Sequence, residues 1–277
     1  MKSRFALVFI LILGPHLFAA NPGKAVVNEV KRYGSDAVSM LRAPLHWDER
    51  MWRKVAIISA ADAAAFAADE SIADAMQRNR SHFSDEFAKN LTPFGGGRAL
   101  QLSAATALLG LATHNTKLRD TGRDAIEASI FAAGFITPAI KRVAGRSRPN
   151  AGEGAFAFDP LSKNESFPSG HATNAFAVAS VFAAHSDGWV VPTIAYTLAT
   201  GVAVSRMNDN VHWASDVIAG AAIGTAVGRS IVARHKRAAT TSANPSRIDW
   251  TIIPVRGGVA FQVWIPVDRI THAFAAR

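Results

Sequence analysis

Apolar residues along this chain gather in runs separated by short polar stretches, and most of the runs are long enough to be helices. The first, Phe5 to Leu13, follows a short basic region of Lys2 and Arg4; Gly14-Pro15 breaks it, and Ala19-Ala20 offers small residues for cleavage. That is the pattern of an export signal, with Leu17 or Phe18 as an imperfect third position before the cut, or of an uncleaved anchor helix. Residues 21–50 read as a connection holding a short helix from Ala25 to Arg32, and Pro44 to Asp48 as a loop leading into a helix from Glu49. Met51 to Asp69 is Ala-rich and helical, interrupted at Asp62. After the loop Thr92-Pro93-Phe94-Gly95-Gly96-Gly97 come helices over Leu100 to Thr113 and Ala125 to Lys141, the second kinked at Pro138. Ala172 to His185, Val190 to Ser205 and Trp213 to Arg234 complete the set. Gly220, Gly224 and Gly228 recur every four residues on the last helix, so one side of it would admit another helix at close range.

Beyond a polar stretch from His235 to Pro245 the period changes. Ile248-Asp249-Trp250-Thr251-Ile252 and Val259-Ala260-Phe261-Gln262-Val263-Trp264 flank Gly257-Gly258, the signature of a β-hairpin. The expected fold is therefore all-α, a bundle of about six core helices with a C-terminal β-hairpin appendage. Its expected parts are a signal peptide or N-terminal anchor over 1–20, a helical domain over 21–235, and a polar linker with the hairpin over 236–277. A lone hairpin is marginal in water, so it should pack on the bundle, pair with another chain, or touch a membrane through Trp250 and Trp264.

Composition narrows the setting. At 277 residues the chain is one domain, or one with an appendage. It is 49% hydrophobic and 18% charged, apolar for a soluble protein yet lean for a multispanning one. Gly188 to Val204 approaches the ~20 apolar residues of a membrane span, whereas the other runs are shorter or carry Asp62, Glu127 or Asp216. The absence of cysteine excludes disulfides, thiol catalysis and cysteine-based metal sites. A net charge of +9 suits an anionic partner. No nucleic-acid module accompanies it and the basic residues are scattered, so anionic lipid headgroups or phosphorylated substrates fit better.

Three segments carry candidate chemistry. In Ser205-Arg206-Met207-Asn208-Asp209-Asn210-Val211-His212-Trp213-Ala214-Ser215-Asp216, His212 and Asp216 stand four apart and would share a helix face, with Arg206 just upstream. A carboxylate orienting an imidazole beside a fixed cation suits a nucleophilic histidine attacking an anionic phosphorus centre, although such pairs also serve as plain structural contacts. Upstream, Lys141-Arg142-Val143-Ala144-Gly145-Arg146-Ser147-Arg148-Pro149 supplies cations. Pro149 should hold Arg148 extended, and Lys141 should lie in the last turn of its helix. Taken alone, Lys141, Arg142, Arg146 and Arg148 would pass for a solvated basic cluster. Between the two lies Phe167-Pro168-Ser169-Gly170-His171-Ala172, where Ser169 and Gly170 would open a helix whose free N–H groups attract phosphate, or where Ser169 would simply cap it.

In this order the three blocks resemble the signature of the type 2 phosphatidic acid phosphatase and vanadium haloperoxidase superfamily, and of its phosphatase branch in particular. The resemblance covers residues 141 to 216 and implies a division of labour. His212 would attack phosphorus and form a phosphohistidine, while Asp216 fixes its tautomer. His171 would protonate the departing oxygen and then activate water, while Lys141, Arg148, Ser169, Gly170 and Arg206 clamp the phosphoryl oxygens. No metal and no other cofactor is implied. The expected activity is metal-independent hydrolysis of a phosphomonoester or diphosphate, lipid-linked in the reading preferred. A soluble-substrate acid phosphatase, a vanadate-dependent haloperoxidase and a non-catalytic phosphate- or lipid-binding membrane protein are the alternatives. The expected partners are that phosphorylated substrate and a membrane, without nucleic acid, in the cell envelope with the site facing the periplasm. The pattern leaves the oligomeric state open.

Overall fold

The computed structural model describes residues 22–243, 249–255 and 258–264. The expected signal or anchor segment and the Gly257 position of the expected turn lie outside the described residues. Contacts divide the chain into two units, Met1–Val232 and Ala233–Arg277.

The first unit is helical. Helix α1 (Pro22–Arg42) runs well beyond the short helix expected there. Several of its charged residues face inward: buried Glu29 accepts hydrogen bonds from Arg32 and Arg123, both at 2.6 Å, Arg32 also meets Glu127 at 2.9 Å, and Asp36 is buried. Val27, Val30, Val38 and Leu41 face outward instead. Tyr33, Ala37 and Met40 pack on the core beside these buried charges, so the inward face is mixed in polarity, which conceals the helical period from a reading that assigns only apolar residues to the core. Helix α2 (Glu49–Arg78) is capped by Asp48, whose carboxylate accepts from the Met51 N–H at 2.8 Å, and it passes through Asp62 without a break. Helix α3 (His82–Leu91) had no apolar run to announce it; a reciprocal capping box between Ser81 and Ser84 starts it.

Helices α4 (Gly97–Ala112) and α5 (Thr116–Ser129) form an antiparallel pair, and a π-helical segment over Ile130–Ile136 joins α5 to α6 (Thr137–Ala144). The kink expected at Pro138 is thus taken up in the preceding turns. A proline lacks an N–H and crowds the carbonyl four residues back, and a wider π turn accommodates both. Helices α7 (Gly170–His185) and α8 (Val190–Asn208) form a second pair, followed by α9 (Ala214–Ala243). Among the described residues this makes nine α-helices where about six were expected.

The core between α5, α7 and α9 is built from small and branched residues, with Ala125, Ala128, Ala177, Val181 and Ile231 at its centre. Gly220, Gly224 and Gly228 lie directly on the α7 backbone. A Cβ there would stand 2.7 Å from the Ser169 carbonyl oxygen, 2.2 Å from that of Thr173 and 2.5 Å from that of Ala177. Among the described residues two helices, α8 and α9, are long and apolar enough to cross a membrane. In the second unit, β1 (Asp249–Val255) pairs antiparallel with β2 (Gly258–Trp264), Val255 opposite Gly258 and Asp249 opposite Trp264.

Candidate active site

The basic segment after α6 is sorted by one left-handed residue. Gly145 ends the helix at φ +58°, donating its N–H to the Lys141 carbonyl at 2.9 Å; a Cβ there would meet the Asp159 carbonyl oxygen at 1.7 Å, so only glycine fits. The reversal leaves Lys141 in the last helical turn, turns Arg146 into the interior and holds Arg148 extended at φ −80°, ψ 155°, as Pro149 requires. Lys141 Nζ donates to the Glu165 carbonyl and, at 3.3 Å, to that of Ser166. Arg142 stays at the surface and donates to the Ser162 carbonyl at 2.8 Å.

Ser169 caps α7: its hydroxyl accepts from the Ala172 N–H at 3.4 Å, and its own N–H donates to the Asp216 carbonyl at 2.8 Å. Gly170 is the first helical residue and has the Lys141 side chain beside it, 4.0 Å from where a Cβ would stand. His171 follows in the first turn and lies against Gly96, with Nε2 3.6 Å from a Cβ built there. Arg206, near the end of α8, donates from one terminal nitrogen to Asp209 at 2.7 Å and to the Thr92 hydroxyl at 3.1 Å, and its buried Nε has no hydrogen-bond partner.

His212 sits on the turn between α8 and α9, and Asp216 is the third residue of α9. Its carboxylate reaches back to accept the Trp213 N–H at 2.8 Å, as acidic residues at this position do. The same carboxylate accepts from Ser166 Oγ at 2.5 Å and from Arg146 at 2.8 Å, and is fully buried. His212 Nδ1 lies 3.5 Å from it, an ion-pair separation without an aligned hydrogen bond. A carboxylate–imidazole contact of this kind strengthens when the imidazole gains positive character.

Electrostatics tie these residues into one centre. Burial pushes His171 down to about 4, and Arg206, His212, Lys141 and Arg148 lower it further through their charges. His212 is also lowered, chiefly by burial; Asp216 opposes the shift, and Lys141 and Arg148 add to it. Lys141 is brought down to about 8 by burial and by Arg148. The structure therefore brings together all eight residues singled out from the sequence. Two imidazoles gather with Lys141, Arg148 and Arg206, while Asp216 is engaged by Arg146 and Asp209 by Arg206, an excess of positive charge that favours a tetrahedral anion among them.

Sequence reasoning missed a deeper layer. Arg146 is fully buried and belongs to no solvated cluster. Its guanidinium lies 4.4 Å from the Phe66 ring centroid and 5.5 Å from those of Phe158 and Trp213. It donates to Asp216 at 2.8 Å, to Ser215 Oγ at 2.7 Å and to Asp69 at 2.7 Å. Asp69, on α2, also accepts the Ser215 N–H at 2.9 Å and is likewise fully buried. Ser166 and Thr92 were missed as well. No local signal marked Arg146, since the rings around it come from Phe66, Phe158 and Trp213, all distant in sequence.

Residues 126–239 match the PAP2 superfamily, a stretch that contains all three blocks. These residues are a PAP2 superfamily domain. Within curated proteins, this chain is 37% identical over 101 residues to a lipid A 1-phosphatase of Rhizobium etli, covering 35% of this chain and 43% of that protein. It is 38% identical over 101 residues to the decaprenylphosphoryl-5-phosphoribose phosphatase of Mycobacterium tuberculosis, covering 36% and 54%. The matches thus span about half the length of these relatives or less. In fold, it resembles a transmembrane PAP2 type phosphatidylglycerolphosphate phosphatase from Bacillus subtilis, with a TM-score of 0.53 at 24% identity over 68% of this chain and 95% of that one.

Proposed function

We propose that this PAP2 chain is a metal-independent phosphatase that hydrolyses a lipid-linked phosphomonoester or diphosphate at an envelope membrane. The observation that carries the reading is the convergence of Lys141, Arg148, Arg206, His171 and the His212–Asp216 pair on one centre. The relatives' phosphatase names agree with it, and α8 and α9 fit a membrane in length and composition. We assign the catalytic domain to 21–235, and place the site on the periplasmic side, in keeping with the export-like N-terminus.

In this reading His212 attacks phosphorus through Nε2, because Nδ1 faces Asp216. The P–O bond to the leaving group breaks as the N–P bond forms, and His171 gives its proton to the departing oxygen. His171 is neutral at pH 7 by its own surroundings, but a phosphate anion held between Lys141, Arg148 and Arg206 reverses the sign of the local charge and raises its proton affinity. Water activated by His171 then cleaves the N–P bond. The lipid portion leaves along the side of His171, where a cavity of about 740 Å³ opens between α4 and the π segment, lined by Pro93, Leu100, Ile130 and Ala133.

The test is phosphate release from a panel of lipid and soluble phosphates with a chelator present, for wild type and His212→Ala. Turnover lost in the variant, with acid-labile phosphate trapped on the wild type, is the expected result. A wild type without turnover on any lipid phosphate, or an active His212→Ala, overturns the proposal.

A further inference from the structure

Resting on that reading, we propose that Asp69 and Arg146 are positioning residues for the His212–Asp216 pair, with Asp69 acting as a second, remote carboxylate that sets the charge His212 experiences. The geometry is a closed relay: Asp69 to Arg146 at 2.7 Å, Arg146 to Asp216 at 2.8 Å, Asp216 to His212 at 3.5 Å. Ser215 locks the first link, since its hydroxyl donates to Asp69 at 2.5 Å while accepting from Arg146, and its N–H donates to Asp69 at 2.9 Å. All of Asp69, Arg146, Ser215 and Asp216 are excluded from solvent.

Charge counting explains why a second carboxylate is needed. Arg146 alone would cancel Asp216 and leave nothing to oppose an imidazolium at His212. With Asp69 present, the buried set of two carboxylates and one guanidinium carries one net negative charge, matched to the one positive charge that His212 acquires when its Nε2 is phosphorylated and its Nδ1 keeps a proton. A buried ion triad is weak evidence for a stabilising role, since apolar residues of similar volume often replace one without loss. Arg146 is in addition pinned by three aromatic rings and by two hydrogen bonds to the Ala155 carbonyl at 2.8 and 3.0 Å. It therefore holds the Asp216 carboxylate in a single orientation. The other charged groups around the pair are Lys141 on α6 with Glu165 acting on it, Arg148 after α6, His171 on α7, Arg206 on α8 with its partner Asp209, and Asp62 on α2; Asp69→Asn leaves all of them in place.

The experiment compares wild type, Asp69→Asn, Asp69→Glu and Ser215→Ala on the full chain. Removing the remote negative charge lowers the proton affinity of His212. Its imidazole pKa, followed by NMR titration, falls in Asp69→Asn by about half a unit or more, and the acid limb of kcat/KM moves to lower pH with it. In the same variant kcat drops at least ~10-fold with KM little changed, because a charge present only after attack has lost its counterpart. Asp69→Glu restores the titration, and Ser215→Ala gives a smaller drop in kcat with an unshifted His212. Rates are taken per phosphorylatable site, so that a partly misfolded preparation does not imitate the effect. An unshifted His212 pKa in Asp69→Asn, or an unchanged kcat per site, overturns the assignment. A wild type lacking phosphatase activity would instead overturn the reading beneath it, while the NMR titration still decides whether Asp69 and His212 are coupled.

Discussion

Replacing Gly224 with alanine pits two opposing magnitudes against each other. In an exposed helix the exchange would add about 1 kcal/mol of helix propensity. Here the new Cβ would stand 2.2 Å from the Thr173 carbonyl oxygen and 2.8 Å from the Ala177 N atom, both backbone atoms of α7. A carbon and a carbonyl oxygen come no closer than about 3.3 Å, so α7 and α9 must part by roughly 1 Å. Overpacking of this kind costs ~1–3 kcal/mol, enough to cancel the propensity gain and leave a net loss. The larger effect should be on rate. Helix α7 carries Ser169, Gly170 and His171, α9 carries Asp216, and a misplacement of about 1 Å costs on the order of 100-fold in an oriented reaction. The assay is phosphate release beside chemical unfolding for Gly224→Ala, with Gly188→Ala as control, since a Cβ at Gly188 meets nothing within 4 Å. A Gly224→Ala protein that is more stable than wild type and fully active would refute the argument.

Two further outcomes follow from the cation cluster. Lys141, brought down to about 8, is charged below that pH and loses its charge above it, so kcat/KM falls on the alkaline side with an apparent pKa near 8. In Lys141→Arg that limb shifts upward whatever happens to the maximal rate, and a limb that stays in place assigns it to another group. His171, held near 4, is neutral at pH 6 until an anion enters, so binding of phosphate or vanadate is accompanied by uptake of a proton. Calorimetry in buffers of different ionisation enthalpy measures it, and uptake unchanged in His171→Asn removes His171 as the acceptor.

What could be read from the sequence was whatever is local. The Ser169 cap and the effect of Pro149 on Arg148 are settled within a few residues, and each is found in the structure; His212 and Asp216 do meet, but with His212 on the turn before α9 rather than on a shared helix face. The glycine stripe also declared itself, since its meaning depends only on helical period. The relay through Asp69 did not, because 77 residues separate Asp69 from Arg146 and neither position looks unusual in its own neighbourhood. Helix α1 was underestimated for another reason. Its inward face mixes Tyr33, Ala37 and Met40 with Glu29, Arg32 and Asp36, and Glu29 and Arg32 are matched by Arg123 and Glu127 on α5, which no local pattern discloses. Helix α3, ten residues long, is too short for a periodic signal, and its capping serines were the sole hint.

A cup lined by Lys141, Arg148, Arg206 and two imidazoles does not distinguish an esterified phosphate from a free one. On the proposed reading the reaction's own inorganic product is therefore a ligand of the resting enzyme, and turnover slows as it accumulates. The same affinity makes orthophosphate a folding aid: at a hundred times its dissociation constant it would add about 2.7 kcal/mol to the native state. Melting temperature should climb with phosphate concentration and cease to do so once the anion-holding arginines are neutralised.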